Sequence, residues 1–247
     1  MSEMEKFIKI ETLKLIVKKI SNPLIIVFGV LLSFYLDNEL EKNNKIEYKN
    51  FVIKNLKMIL VEDLNNIQQV KKLQNECYVA CETLIKDMID SKVDLNDLEI
   101  AKKYLLISQS GWTSFFPQNS TYNELISTGS MEIISSINFR KSLTNTYTHL
   151  YERNLQLSRT IDDFFLMSNS RFGPYFVIEY AVKQDEGYIY DELVPISYKI
   201  DKDFYLSNIA ISDLLQAKKL IGNYLDLLDE YQKSYLKLQL HAEEEIR

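Results

Sequence analysis

ISNPLIIVFGVLLSFYL, residues Ile20–Leu36, carries no charged side chain and runs directly into Asp37, Asn38 and Glu39. At about 1.5 Å of rise per helical residue it covers roughly 25 Å, just short of the ~30 Å hydrocarbon core of a bilayer. Its flanks supply the rest: Lys18 and Lys19 can snorkel to one interface and Tyr35 suits the other. The run predicts a membrane-spanning helix. A buried core helix is the alternative, because apolar runs of this length lie at the edge of the spanning range. A cleaved leader needs small residues after its apolar core, and Tyr35, Leu36 and Asp37 stand there instead, so the segment is expected to be retained.

Upstream, Ile8, Leu13, Ile16, Val17 and Ile20 recur at helical spacing opposite a lysine-rich face, as in a helix lying on a bilayer or packed against a domain. Ser21, Asn22 and Pro23 predict a bend and a restart. Lys6, Lys9, Lys14, Lys18 and Lys19 precede the run and Lys42, Lys45, Lys49, Lys54 and Lys57 follow it, so the positive-inside rule leaves orientation open. The expected organisation is an amphipathic helix plus transmembrane anchor over 1–38 and a helical bundle domain over 39–247.

Downstream, Glu39–Ile89 holds neither Gly nor Pro. Ile46, Ile53, Leu60, Ile67, Cys81 and Met88 follow a seven-residue repeat broken by Gln74, with Leu56, Val70, Cys77 and Leu84 on the second seam. That pattern predicts a long stalk helix packed against others, with Lys49 and Asp63 as polar exceptions. A break over Ser91–Asp94 precedes a helix over Leu95–Ile107 capped by Asp94. Thr121 and Glu124 form a T-x-x-E capping box for a helix ending near Gly129. Asn138 is the expected cap of a helix over Phe139–Met167, whose inner face carries Leu143, Tyr147, Leu150, Leu157, Ile161 and Phe164. Residues 171–205 read as an irregular or hairpin insertion, with candidate strands Phe176–Val182 and Tyr188–Ile200. A last helix from Ser207 buries Leu214, Ala217, Ile221, Leu225, Leu228, Tyr231, Tyr235 and Leu238, and Glu243, Glu244 and Glu245 should fray its end. The fold class is all-α. Six glycines and four prolines agree with long regular elements.

A net charge of −6 argues against broad binding to nucleic acid or anionic lipid, and leaves room for a small anionic ligand. Cys77 and Cys81, four apart, lack the partners of a zinc site and read as reduced packing residues. His149 and His241 sit on different helices with no nucleophile pattern around them, and no phosphate-cradling or dinucleotide motif is present. The neighbouring carboxylates Glu62–Asp63 and Asp162–Asp163 diverge on a helix and read as solvated faces. No catalytic residue, metal ligand or cofactor is predicted.

Three groups remain as candidates. Gly29 and Ser33 form a small-x-x-x-small pair on a face that ends at Asp37 and Asn38; it suits helix packing in lipid and, in a closed ring, a pore mouth. Arg140, His149, Arg153 and Arg159, with Arg171 nearby, suit a nucleotide or oligonucleotide, and also ordinary ion pairs to Glu152, Asp162 and Asp163. Trp112, Phe115 and Phe116 in the loop Gly111–Ser120 suit a protein partner or closure of the chain's own core.

Two blocks, the apolar run ending in Asp37-Asn38 with its charged stalk and TYNELISTGSMEIISSINFRKSLTNTYTHLY over Thr121–Tyr151, resemble a bacterial family of membrane-anchored helical proteins common in Bacteroidota. The resemblance implies a single-pass inner-membrane location and assigns no activity or functional residue. The layout of anchor, stalk and helical domain is also similar to that of membrane effectors of antiphage systems, an analogy of architecture alone. The expected function is a non-enzymatic homo-oligomer in the bilayer, a gated pore or membrane-disrupting effector; a membrane-anchored interaction scaffold is the alternative.

Overall fold

The computed structural model describes residues 3–90, 94–183 and 192–246, with side chains over 25–90, 94–183 and 193–246. It is mostly helical, with long helices and a two-stranded hairpin. The chain forms two compact units, Met1–Phe51 and Val52–Arg247.

The first unit is helical from Glu3, the start of α1 (Glu3–Asp90). The helix runs through Ser21, Asn22 and Pro23, where the sequence predicts a bend; Pro23 withdraws one backbone hydrogen bond and the helix tolerates the loss. From Ile25 to Leu36 every side chain is exposed, Phe28 at 69% and Phe34 at 65%. Among the described residues no helix is long and apolar enough to cross a membrane. The side chains of Ile20–Leu24 and the lysine-rich face of Glu5–Lys19 lie outside those described.

In the second unit the heptad pattern of α1 marks the packed face. Ile53, Leu56, Leu60, Ile67, Val70, Cys77, Cys81, Leu84 and Met88 are all buried. They pack in one core with α8 (Asn208–Ile246), which buries Leu214, Ala217, Ile221, Leu228, Tyr231, Tyr235 and Leu238 as its period predicts. The polar exceptions Asp63 and Gln74 are buried too, as is Lys49 near the end of the first unit. Asp63 is therefore no solvated face, contrary to the sequence expectation, because the apolar stripe that it interrupts is the buried one.

Several caps differ from the sequence reading. The helix α2 (Asp97–Ser110) is capped by Asn96, whose side chain accepts from Glu99 N while Glu99 bonds Asn96 N, and Asp94 instead takes φ +50°. Residues 91–93 of the expected break lie outside the described residues. In α3 (Ser120–Ser127) Thr121 is buried and Asn119 holds the cap position without a side-chain bond. Gly129, at φ +71°, makes the left-handed turn into the short α4 (Ser130–Ile133). Ser136, not Asn138, caps α5 (Ile137–Thr144) through Phe139 N.

A π-helical turn over Asn145–Leu150 leads from α5 into α6 (Tyr151–Phe172). The buried line continues from Leu143, Tyr147 and Leu150 into Asn154, Ser158, Ile161, Phe165, Ser168 and Phe172 of α6, while Leu157 and Phe164 are only partly buried.

The insertion is a hairpin. β1 (Phe176–Lys183) pairs antiparallel with β2 (Glu192–Ile200), and a shift after Glu179↔Ser197 to Tyr180↔Pro195 leaves Ile196 as a bulge. Tyr188–Asp191 of the expected second strand lies outside the described residues. The base of the hairpin joins the core through an aromatic cluster: Tyr104 stacks on Phe172 at 4.9 Å and meets Phe176 at 4.7 Å, and Tyr175 stacks on Phe204 at 4.0 Å. The turn α7 (Lys202–Tyr205) comes next in the chain, and its Tyr205 hydroxyl donates to buried Asp87 at 2.6 Å.

The end of α8 does not fray. Glu245 accepts from Ser135 N, Ser135 Oγ and Ser136 N, and Glu243 pairs with Lys57, so these carboxylates tie the last turn to neighbouring elements. A Cβ at Gly111 would lie 2.4 Å from buried Phe165 Cζ and 2.6 Å from Ile107 O. Gly111→Ala should cost about 1–3 kcal/mol by overpacking, read as a lower urea midpoint at unchanged m-value.

Candidate functional site

The loop between α2 and α3 inserts Phe115 into the core, and several polar residues on the packed faces of the long helices bond to it. Gln74 of α1 donates to Thr113 O at 2.8 Å and Ser110 O at 3.3 Å. The Tyr224 hydroxyl of α8 accepts from Phe115 N at 2.6 Å, and Asn154 of α6 donates to Phe115 O at 2.9 Å. Asp63 of α1 accepts from Gln118 N and Gln118 Nε2, each at 3.1 Å, and from the Tyr235 hydroxyl at 3.0 Å. A buried backbone must have its N–H and C=O groups paired, and here side chains of three helices do it.

Phe115 is thereby held at 0% exposure, edge-on to Tyr231 at 5.4 Å and to Tyr235 at 6.3 Å. Its neighbours point the other way. Phe116 is 74% exposed and Trp112 40%, with Trp112 Nε1 donating to Gln109 O at 2.7 Å. Of the predicted contact residues, Phe115 closes the core, while Trp112 and Phe116 form the outward surface of a pinned loop.

Burial pushes the Asp63 carboxyl above the usual carboxylate range, against the pull of its bonds from Gln118 and Tyr235. Burial likewise raises the Tyr147, Tyr231 and Tyr235 hydroxyls, which stay neutral at ordinary pH. Sequence reasoning missed this cluster. A signal was present: Tyr224 and Tyr235 fall on the inner face of one helix, and buried tyrosine hydroxyls call for polar partners.

The arginines pair across helices, not with the carboxylates beside them in sequence. The Arg153 fork grips Glu230 of α8, and Arg171 binds Asp213 of α8 through two bonds of 2.8 and 2.9 Å. Arg153 lines an open groove with Gln156, Thr160, Asn223, Asp226 and Glu230, in which carboxylates outnumber guanidinium groups. Such a groove does not favour a phosphate. Arg140 is half-buried on α5, while His149 in the π-helical turn and Arg159 on α6 are exposed.

In the first unit, Gly29, Ser33, Asp37 and Asn38 are all exposed on α1, and a Cβ at Gly29 would meet nothing within 4 Å. A second helix could therefore approach this face closely. Among the described residues no three His, Cys, Asp or Glu side chains converge as metal ligands do.

Residues 22–185 match a family of unknown function, DUF6090. The chain belongs to the DUF6090 family. The stretch matched to DUF6090 takes in α2 to α6, the pinned loop and β1; the partners that α8 offers the loop, Tyr224 and Tyr235, come from beyond it. No curated protein and no solved structure matches the chain.

Proposed function

We propose that this protein is a homo-oligomeric, single-pass inner-membrane protein without enzymatic activity, in which the helical domain controls the packing of the N-terminal helices. The finer form of the proposal is a gated pore or membrane-disrupting effector of the antiphage type. The observation that carries it is the uncovered apolar surface of α1. Ile25, Ile26, Phe28, Leu31, Leu32, Phe34 and Leu36 face outward on every side of the helix. An amphipathic packing helix shows one apolar stripe, whereas a helix apolar all round is solvated by lipid or by protein. Gly29 and Ser33 give the close-approach face, and Asp37 and Asn38 stand where a bundle of such helices would meet water. In this reading Ile20–Leu36 spans, with lysines at one end and Tyr35 at the other. A nucleotide cue would engage Arg140, His149 and Arg159, since Glu230 occupies the Arg153 fork.

The test has two stages. The full-length chain should sediment with membranes and resist extraction by alkaline carbonate. Leu31→Arg should move it to the supernatant, because the exchange costs about 3 kcal/mol at the centre of a span. Reconstituted in liposomes, the chain should release an entrapped ion, and Gly29→Leu should abolish release. A wild-type chain that stays in the supernatant without surfactant removes the membrane reading, and liposomes that stay tight under every nucleotide tried remove the pore.

The scaffold reading has its own observation, the rigid presentation of Trp112 and Phe116. If it holds, the Trp112→Ala/Phe116→Ala variant loses a bound protein partner while conductance is absent in both forms.

A further inference from the structure

The two edges of the hairpin are built differently. β2 lies against α2, carries Pro195, which has no N–H to offer, and is bulged at Ile196; each of these is a device that stops a strand from pairing further. β1 has neither a proline nor a bulge, and it meets α2 at its base through Phe176 and Tyr104. Beyond Phe176 it is exposed apart from half-buried Ile178, and it reads Glu179-Tyr180-Ala181-Val182-Lys183 with strong strand formers on one face.

We propose that the outer edge of β1 pairs antiparallel with β1 of a second copy, about a two-fold axis at Ala181. Charge selects that register. With Ala181 opposite its own copy, Tyr180 meets Val182 twice and Glu179 meets Lys183 twice, giving aromatic–β-branched and opposite-charge pairs. Centring the axis on Glu179 sets like charges face to face, and centring it on Tyr180 leaves Glu179 opposite Ala181. The small Ala181 side chain sits at the crossing. Two hairpins then become one four-stranded sheet, and the charges that would repel a foreign strand favour a copy. The contact is self-complementary, as a two-fold interface requires. It gives the proposed homo-oligomer a contact that does not depend on the membrane helix.

Site-specific cross-linking of the full-length chain in detergent tests it. At the axis the two Ala181 Cα atoms would be about 4.5–5.5 Å apart, within disulfide reach, whereas two Val177 positions would be about 27 Å apart. Ala181→Cys should give a covalent dimer under mild oxidation and Val177→Cys should not; the native Cys77 and Cys81 are buried. Adding Lys183→Glu should cut the Ala181→Cys dimer about tenfold, and adding Glu179→Lys to that variant should restore it. A Ser33→Cys chain reports packing of the N-terminal helices separately, so loss of one cross-link with retention of the other tells the two self-contacts apart. Equal cross-linking at 181 and 177, or an Ala181→Cys dimer indifferent to Lys183→Glu, overturns the proposal.

Discussion

Phe115→Ala should destabilise the fold by about 3–5 kcal/mol, while Phe116→Ala, one residue on, should change stability by less than about 0.5 kcal/mol. The two side chains are chemically identical and differ in what surrounds them. The Phe115 ring is wholly buried against Tyr231 and Tyr235, so its removal deletes apolar burial and edge-to-face contacts and leaves a cavity. The backbone around that cavity cannot collapse freely, because Phe115 N and Phe115 O are held by Tyr224 and Asn154 from two different helices. Phe116 gives up little on truncation because most of it already faces solvent. Urea unfolding followed by tyrosine fluorescence measures both. Similar midpoints for the two variants would show that the loop does not close the core.

Asp63→Ala should cost about 1–3 kcal/mol, chiefly through the partner it leaves buried. Gln118 N, Gln118 Nε2 and the Tyr235 hydroxyl all donate to this carboxylate; in the alanine variant exposed Gln118 can turn to water, while the Tyr235 hydroxyl remains buried with nothing to accept from it. Asp63→Asn keeps an acceptor at the same place and should cost much less. The same pair of variants fixes the pH dependence. The folded-state pKa of Asp63 lies above its ordinary value of 3.8, because burial disfavours the charged form. The folded chain therefore holds this proton more tightly than the unfolded chain. The resulting stability is fully present below pH 3.8 and is lost as pH rises through the folded value. In Asp63→Asn that component vanishes. The difference in urea midpoint between wild type and Asp63→Asn should accordingly grow in favour of wild type as the pH is lowered from about 7 to about 4; the opposite trend would reverse the sign of the shift.

The apolar stripes of α1 and α8 were legible from the sequence because a helix buries one face, and Leu60, Ile67, Cys81, Leu228 and Leu238 mark that face at fixed spacing. Asp63 and Gln74 were not, since periodicity scores one helix at a time and treats a polar residue in the stripe as a flaw. Their partners lie on distant segments, Gln118 and Thr113 in the loop and Tyr235 on α8. The inner face of α6 was misjudged for a different reason. Steps of seven from Leu143 through Leu150 and Leu157 lead to Phe164, whereas a straight helix drifts about 20° per heptad from that step and turns Ser158 and Phe165 inward instead. The cap of α2 could have been found: Asn96 and Glu99 stand in capping-box relation, whereas Asp94 has no such companion. The paired arginines read correctly as ion pairs but with the wrong carboxylates, because Glu230 and Asp213 come near only when α8 folds back along α6.

The two thiols at the centre of the α1 seam have a practical use. Burial pushes Cys81 up to about 12 and Cys77 higher still, so neither presents a thiolate to a reagent in the native state. An alkylating dye must wait until the helix parts from its neighbours, and the speed of its attachment becomes a clock for the opening of the interior. The chain thus carries its own unfolding reporter, readable in the purified protein without an added probe site.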